Sequence, residues 1–391
     1  MSLANGRPYL AIPGPSVIPD QVIQAMMRPS PNIYEGELIH LTDSLIPDLK
    51  MVAQTQENVV IYIGNGHAAW EASIANVLSR GEKALVLASG RFGHGWSEIA
   101  DGLKIQIEIE DFGMRNSVDP DRVYRILKDD LKHEIKAVMM VHVDTSTGSK
   151  SDVAAVRAAI DAAKHPALLM VDCIASLGCD EYRMDEWGVD VTVSACQKGL
   201  MTPTGLSFVW YNEKADKARE TADLATRYWD WRTRTNPLVY YHYFAGTAPT
   251  HHLYGLRAAL DMIKNEGIEN IWNRHSKLAQ GIWAAVDAWS AEGPMEQNMA
   301  SADERGHSIT SIHLGEGNGD RLRQWCENEA GVTLGIGLGR EPESAWFRIG
   351  HMGHVNAHMV LGTLSVIETG LNALDIQHGD GAIDAAIKVL S

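Results

Sequence analysis

A lysine amine attacks carbonyls only after losing its proton, and burial beside positive charge promotes that loss. Lys198, in Ser194-Ala195-Cys196-Gln197-Lys198-Gly199, is placed for this role. It follows the apolar run 189–193, sits among small residues and precedes the turn Pro203-Thr204-Gly205. An ordinary solvated lysine is the alternative. Asp172 closes the apolar run 167–171. Ligands of open α/β sheets gather at the carboxyl ends of strands. A carboxylate there suits a ligand cation or a protonated ring nitrogen, with a turn or helix cap as the competing role. Gly64-Asn65-Gly66-His67 breaks a strand pattern ahead of a helix pattern. Its glycines allow a sharp turn that leaves N–H groups free for a phosphate, although a plain strand-to-helix turn has the same look. It is neither a P-loop, lacking GK[ST], nor the dinucleotide fingerprint, lacking the third glycine. Arg348 lies inside the apolar stretch Trp346-Phe347-Arg348-Ile349-Gly350. Its fork matches a carboxylate, either a ligand's or that of an internal ion pair.

Other candidates are weaker. His251-His252 and His351-x-x-His354 have no carboxylate or cysteine at ligand spacing, so no metal is expected. Cys196 reads as a small apolar neighbour of Lys198.

The elements that must hold these residues are legible as alternating patterns. Strand-like runs cover 59–63, 84–88, 105–109, 137–143, 167–171, 189–193 and 206–211. The run 105–109 alternates polar and apolar residues and belongs near an edge. Helical patterns follow Gly66 and cover 119–131 and 152–164. Continuous apolar strands between helices predict a mostly parallel sheet covered on both faces. The second half differs. Two helical patterns span roughly 251–289, then strands 308–314, 333–337 and 345–350 surround a helix near 319–329, and a closing helix covers 356–373. This reads as a smaller α+β domain.

Composition excludes other classes. The 391 residues are 45% hydrophobic and 21% charged, ordinary for a globular chain with a large core. The formal charge of −16 repels phosphate backbones, so nucleic acid is not expected as a partner. The longest apolar runs are strand-sized, so no membrane span is expected. The opening MSLANGRPYLAIPGPS lacks a basic segment followed by an apolar run, so no secretory signal is expected. Four cysteines without a CxxC pair suit a reducing cytoplasm.

Taken in order, these residues resemble the class V aminotransferases of the fold-type I pyridoxal-phosphate enzymes, and within them the serine–glyoxylate and alanine–glyoxylate aminotransferase group. The likeness runs from IPGPSVIP to FRIGHMG. It is carried by HEIKAVMMVHVDTSTG, HPALLMVDCIASLG and DEWGVDVTVSACQKGLMTPTGL, with Lys198 placed 26 residues after Asp172. The resemblance implies an α/β fold. A large domain would hold a mostly parallel seven-stranded sheet flanked by helices, followed by a smaller C-terminal α+β domain. The expected divisions are an N-terminal segment 1–17, a large pyridoxal-phosphate-binding domain 18–255 and a small domain 256–391.

It also implies pyridoxal 5′-phosphate as cofactor, with a role for each matching residue. Lys198 matches the Schiff-base lysine and Asp172 the partner of the pyridine nitrogen. Gly66, His67 and Gln197 match phosphate donors, and Thr247 a phosphate contact reaching in from the other subunit of a homodimer. Phe92 matches the aromatic that stacks on the ring, Ile174 the aliphatic residue beneath it, and Thr145 the hydroxyl near its phenol oxygen. Arg348 matches the grip on the substrate α-carboxylate. The implied reaction is a ping-pong transfer through Lys198, moving an amino group from serine or alanine to glyoxylate or pyruvate.

Some positions depart from the pattern. Ile33-Tyr34 replace a His-Arg pair, which puts Tyr34 on the substrate side. The phosphate element around Tyr243-Phe244-Ala245-Gly246 is altered, and Asp144 replaces a glutamate. ASGRFGHGW and RIGHMG also resemble pyridoxamine–pyruvate aminotransferase, but Asn65 and Gln197 replace that enzyme's glutamate and asparagine. A lyase of the same fold would need a mobile cysteine, and Cys326 lies in a helical pattern, LRQWCENE.

Overall fold

The computed structural model describes residues 2–391. Its seven-stranded sheet runs Asn58–Gly64, Gly205–Tyr211, Val191–Ala195, Leu168–Asp172, Ile135–Val141, Lys83–Ala88, Gln106–Asp111. The five strands from Val191–Ala195 to Gln106–Asp111 are parallel. Gly205–Tyr211 is antiparallel to both of its neighbours. The cause is the connection before it. Residues 196–204 contain no helix, and a parallel return needs a crossover of a dozen or more residues. Gln106–Asp111 lies at the edge, as its alternation predicts.

The apolar runs are continuous because the sheet has a core on each face. Successive residues alternate between the two. Ile61, Leu85, Leu87, Val138 and Met140 join one core. Val60, Tyr62, Val86, Ala137 and Met139 join the other. The run predicted over 137–143 breaks earlier, after Val141, and Val143–Asp144 instead forms a short hairpin with Ser149–Lys150.

A second, five-stranded sheet runs Tyr9–Ala11, Val332–Ile336, Trp346–Gly350, Ile309–His313, Glu296–Gln297. Its first strand comes from the stretch read as an N-terminal segment and pairs in parallel with Val332–Ile336. The two long helices are Thr250–Glu266 and Ile268–Trp289, parted at Gly267, whose φ of +85° suits glycine. Leu253, Leu256 and Ile263 pack into the large core, whereas Leu278, Ile282 and Val286 pack into the small one. The chain does not close with the helix Ala357–Ala373, because a further helix, Ala382–Leu390, follows and packs on the Ile268–Trp289 helix at Gly281. Among the described residues, no helix is long and apolar enough to cross a membrane.

Candidate active site

The carboxyl ends of the central strands meet at a cavity of about 190 Å³. Asp172 is the last residue of its strand, and Lys198 stands in the turn three residues past Ala195. Thr145 follows the short strand Val143–Asp144. The helix Gly66–Val77 points its N-terminus at the same space, and Phe92 enters from the start of the helix Arg91–Gly102. Nine residues expected at the site line this cavity: Asn65, Gly66, His67, Phe92, Thr145, Asp172, Ile174, Gln197 and Lys198.

Asp172 is 3% exposed and fixed by two donors. The Ile174 N–H reaches its Oδ1 at 2.6 Å and the Trp70 indole N–H reaches its Oδ2 at 2.8 Å. Burial dominates over these bonds and pushes the carboxyl up to about 7, with nearby Asp144 adding to the rise. A cation set against it would restore the ionised form. Trp70 carries no mark in the sequence, since a tryptophan in an apolar helix pattern reads as core. Its ring sits 4.6 Å from that of His67 and 6.3 Å from that of Phe92, so one side chain braces both the aspartate and the cavity's aromatic wall.

Lys198 is half-buried with its amine enclosed, and its Nζ donates to the Pro13 carbonyl. Burial and the positive field of Arg348 lower its amine to about 8, while Asp172 opposes them. The neutral fraction therefore grows as pH rises through about 8. The cofactor-free protein is expected to capture pyridoxal phosphate faster across that interval and then level off, as followed by the absorbance of the bound aldehyde. A rate independent of pH there would place the titrating amine elsewhere. Gly14, with φ +94°, makes room for this side chain: a Cβ there would lie 2.5 Å from the Lys198 Nζ.

Arg348 is 6% exposed, and its bonds go to carbonyls. Nε donates to Ile336 O at 2.5 Å and Nη1 to Thr145 O at 2.7 Å, which ties the small sheet to the cavity wall. Burial lowers the guanidinium to about 10. A guanidinium carries five N–H donors, so three stay available to an anion.

Asp144 is fully buried and accepts from Phe92 N at 2.9 Å and Ser146 N at 2.9 Å, which sets the start of the helix bearing Phe92. Asn65 caps the helix Gly66–Val77, accepting from His67 N at 3.1 Å. Three expected residues are absent from the cavity lining: Arg348, which is buried and bonded to Thr145 O, and Thr247 and Tyr34, which are exposed, Tyr34 by 85%. Three of the four paired histidines bond to local structure, and His354 is exposed. His351 bridges His307 O and Thr310 Oγ1, and His252 and His251 meet the carbonyls of Thr204 and Arg28.

These residues fit pyridoxal phosphate. The Gln197 Oε1 is buried without a partner, leaving a polar atom for a ligand to satisfy. Gly66 opens the helix against Ile174, where a Cβ would lie 2.3 Å from Ile174 Cδ1, so the backbone alone can face a phosphate there. The Lys198 amine, lowered to about 8, and the buried Asp172 carboxylate flank the same space, a pair suited to an aldehyde and a ring nitrogen.

Comparison with known proteins agrees with this chemistry. The chain is 36% identical to a serine–glyoxylate aminotransferase of Methylorubrum extorquens, over 97% of this chain and 96% of that protein. It is also 36% identical to an L-aspartate–glyoxylate aminotransferase of Paracoccus denitrificans, over 96% and 94% respectively. The crystal structure of pyridoxamine–pyruvate aminotransferase from Mesorhizobium loti superposes with a TM-score of 0.90 at 25% identity, covering 100% of this chain and 99% of that one. Residues 8–343 match the family described as Aminotransferase class-V. The chain belongs to the class V aminotransferases, whose cofactor is pyridoxal 5′-phosphate.

Proposed function

We propose that this aminotransferase passes the amino group of a small amino acid, serine or alanine among them, to glyoxylate or pyruvate in two half-reactions. The observation that carries this reading is the convergence of Lys198 and Asp172 on one cavity whose wall, at Thr145, is tied to the Arg348 guanidinium. The names of the relatives support the acceptor: serine–glyoxylate and L-aspartate–glyoxylate aminotransferases.

When bound, the cofactor supplies an electron sink for the pair released from the substrate Cα–H bond. The protein does the rest. Asp172 keeps a proton on the ring nitrogen, and Trp70 and the Ile174 N–H hold that carboxylate in place. Lys198 Nζ would take the proton from the substrate Cα and deliver it to the cofactor carbon on the far side of the amino nitrogen, a task suited to an amine brought down to about 8. Arg348 holds the α-carboxylate, which fixes the direction of the Cα–H bond. Gly66, His67 and Gln197 would hold the phosphate, Phe92 and Ile174 would flank the ring, and Thr145 would meet its phenol oxygen. Asn65 shapes the substrate side through the helix start it caps.

The working unit in this reading is a homodimer. Exposed apolar side chains at Met27 (77%), Tyr34 (85%) and Leu238 (89%) support it, since a partner would cover them. Thr247 then completes a phosphate site in the other copy, and Tyr34 approaches that copy's substrate. Four buried free cysteines support a cytoplasmic setting.

The deciding experiment follows the visible absorbance of the holoenzyme while single amino acids are added without acceptor. Bleaching by serine or alanine, with the matching 2-oxo acid released, is the expected result. Inertness to every amino acid, with pyruvate-dependent turnover of free pyridoxamine, would move the assignment to a pyridoxamine–pyruvate aminotransferase. The lyase reading has little support, because Cys326 is buried in the helix Asn318–Ala330 and burial pushes its thiol up to about 12.

A further inference from the structure

Arg348 has a neighbour that the transaminase reading does not use. Arg340 is 7% exposed, and its Nε and Nη2 are buried with no hydrogen-bond partner among the described residues. Its guanidinium lies over the Trp346 ring, 4.3 Å from the centroid. Trp346 and Arg348 are two apart on one strand and so share a face of the small sheet. Arg340 is therefore on the Arg348 face. The loop that carries it meets the large domain beside the cavity: a Cβ on Gly339 would sit 3.2 Å from the Arg91 Cβ, next to Phe92. The fields agree with this placement, since Arg340 lowers Arg348 and Asp144 raises both.

A buried, unpartnered guanidinium is costly unless an anion arrives. Arg348 already has donors enough for one carboxylate, so the α-carboxylate does not need Arg340. We propose that Arg340 is a specificity-determining residue that receives a second carboxylate, on the side chain of a dicarboxylic amino donor such as aspartate or glutamate. The inference rests on the transaminase reading and narrows its donor: among small amino acids, those with two carboxylates are served best.

The test compares the holoenzyme with Arg340→Gln and Arg340→Met, the second keeping an apolar stem over Trp346. Bound-cofactor absorbance and thermal midpoint verify that each variant is folded. The intact enzyme is expected to prefer the better of aspartate and glutamate over alanine in kcat/KM. Both variants are expected to lose about 30-fold or more on that donor, and less than about threefold on alanine, the scale for truncating one partner of a buried charge pair. Arg340→Lys should recover part of the loss. A second readout needs no turnover: succinate or glutarate should bind the intact holoenzyme more tightly than propionate, and Arg340→Gln should erase the difference. Equal losses on alanine and on the dicarboxylic donor would overturn the proposal by placing Arg340 on the α-carboxylate. No preference for dicarboxylates in either readout would overturn it as well. If no amino acid reacts at all, the transaminase reading fails, and the succinate–propionate comparison still decides Arg340.

Discussion

Lys198→Ala is expected to lose turnover by on the order of 10⁴-fold or more, the upper end of what a positioned acid–base group supplies. The loss should fall on kcat, because the α-carboxylate grip at Arg348 is untouched. The rest of the site should survive. Asp172 keeps its two donors, Gln197 and the helix start keep their places, and the deleted side chain reaches only the Pro13 carbonyl and the space left by Gly14. Cofactor should therefore still bind, without the covalent link. Denaturing mass spectrometry after borohydride treatment would give the added mass in the parent protein and none in the variant. Turnover near the parent level would remove Lys198 from the mechanism, whatever its location.

Asp172→Asn is expected to cost about 10² to 10³ in kcat/KM, the scale of a buried charge pair that loses one partner. The amide keeps a single acceptor, so its oxygen can accept from the Ile174 N–H or from the Trp70 indole but not from both, and part of the loss belongs to the donor left without a partner. What disappears is the negative charge facing the ring nitrogen. The same substitution should act in the opposite direction on the cofactor-free protein. Burial raises the Asp172 carboxyl from 3.8 to about 7. A carboxyl raised by folding contributes stability that is fully present below its unfolded pKa and is lost as pH rises through the folded value. The parent should thus weaken between about pH 4 and 7, and the non-ionising asparagine should not share that loss. Thermal midpoints of both cofactor-free proteins at pH 5 and pH 8 decide the matter. A gap that does not widen in favour of the variant at pH 8 would count against the raised carboxyl. In the proposed mechanism the aspartate, raised when alone, would be settled by a cationic ring nitrogen, so one residue would account for both affinity and electronics.

Much of this site was legible because its residues mark strand ends. Asp172 and Lys198 follow apolar runs that a two-sided sheet requires, and the parallel register sets Asp172 opposite Val193, so the turn that carries Lys198 leaves the sheet at the same end. The reversed direction of Gly205–Tyr211 was also implicit, in a connection too short for a crossover. Other parts were hidden by their own chemistry. The helix Arg91–Gly102 carries three glycines, each unfavourable in a helix by roughly 1 kcal/mol relative to alanine. Gly93 is there for contact, since a Cβ would lie 2.9 Å from the Ala88 Cα. Arg340 sits in Leu338-Gly339-Arg340-Glu341-Pro342, a stretch whose polarity reads as surface although the guanidinium is buried. The Lys198–Pro13 contact joins residues far apart in sequence, and no local pattern encodes such a meeting. Tyr34 and Thr247 lie at the surface of one chain, so a single copy gives them no place at the site, and the roles proposed for them would require a second copy.

The backbone around Lys198 is held from the other end of the chain. Ser16 N donates to Gln197 O at 2.9 Å and Ser16 Oγ to Lys198 O at 2.7 Å. A few residues earlier, Tyr9–Ala11 is fastened to Val332–Ile336. The lysine's turn thus depends on chain made well before it and on chain made well after it. Pairing across such a separation forms slowly, because loop closure must precede any gain from contact. On the ribosome, the strand that anchors this strap does not exist until Ile336 has been added. A nascent chain can already contain Asp172 and Lys198 and still lack the station in which the amine is buried. If Lys198 captures the cofactor as proposed, capture belongs late in the making of each molecule, after Val332–Ile336 has been added, and an unfinished chain that carries both residues is not half an enzyme.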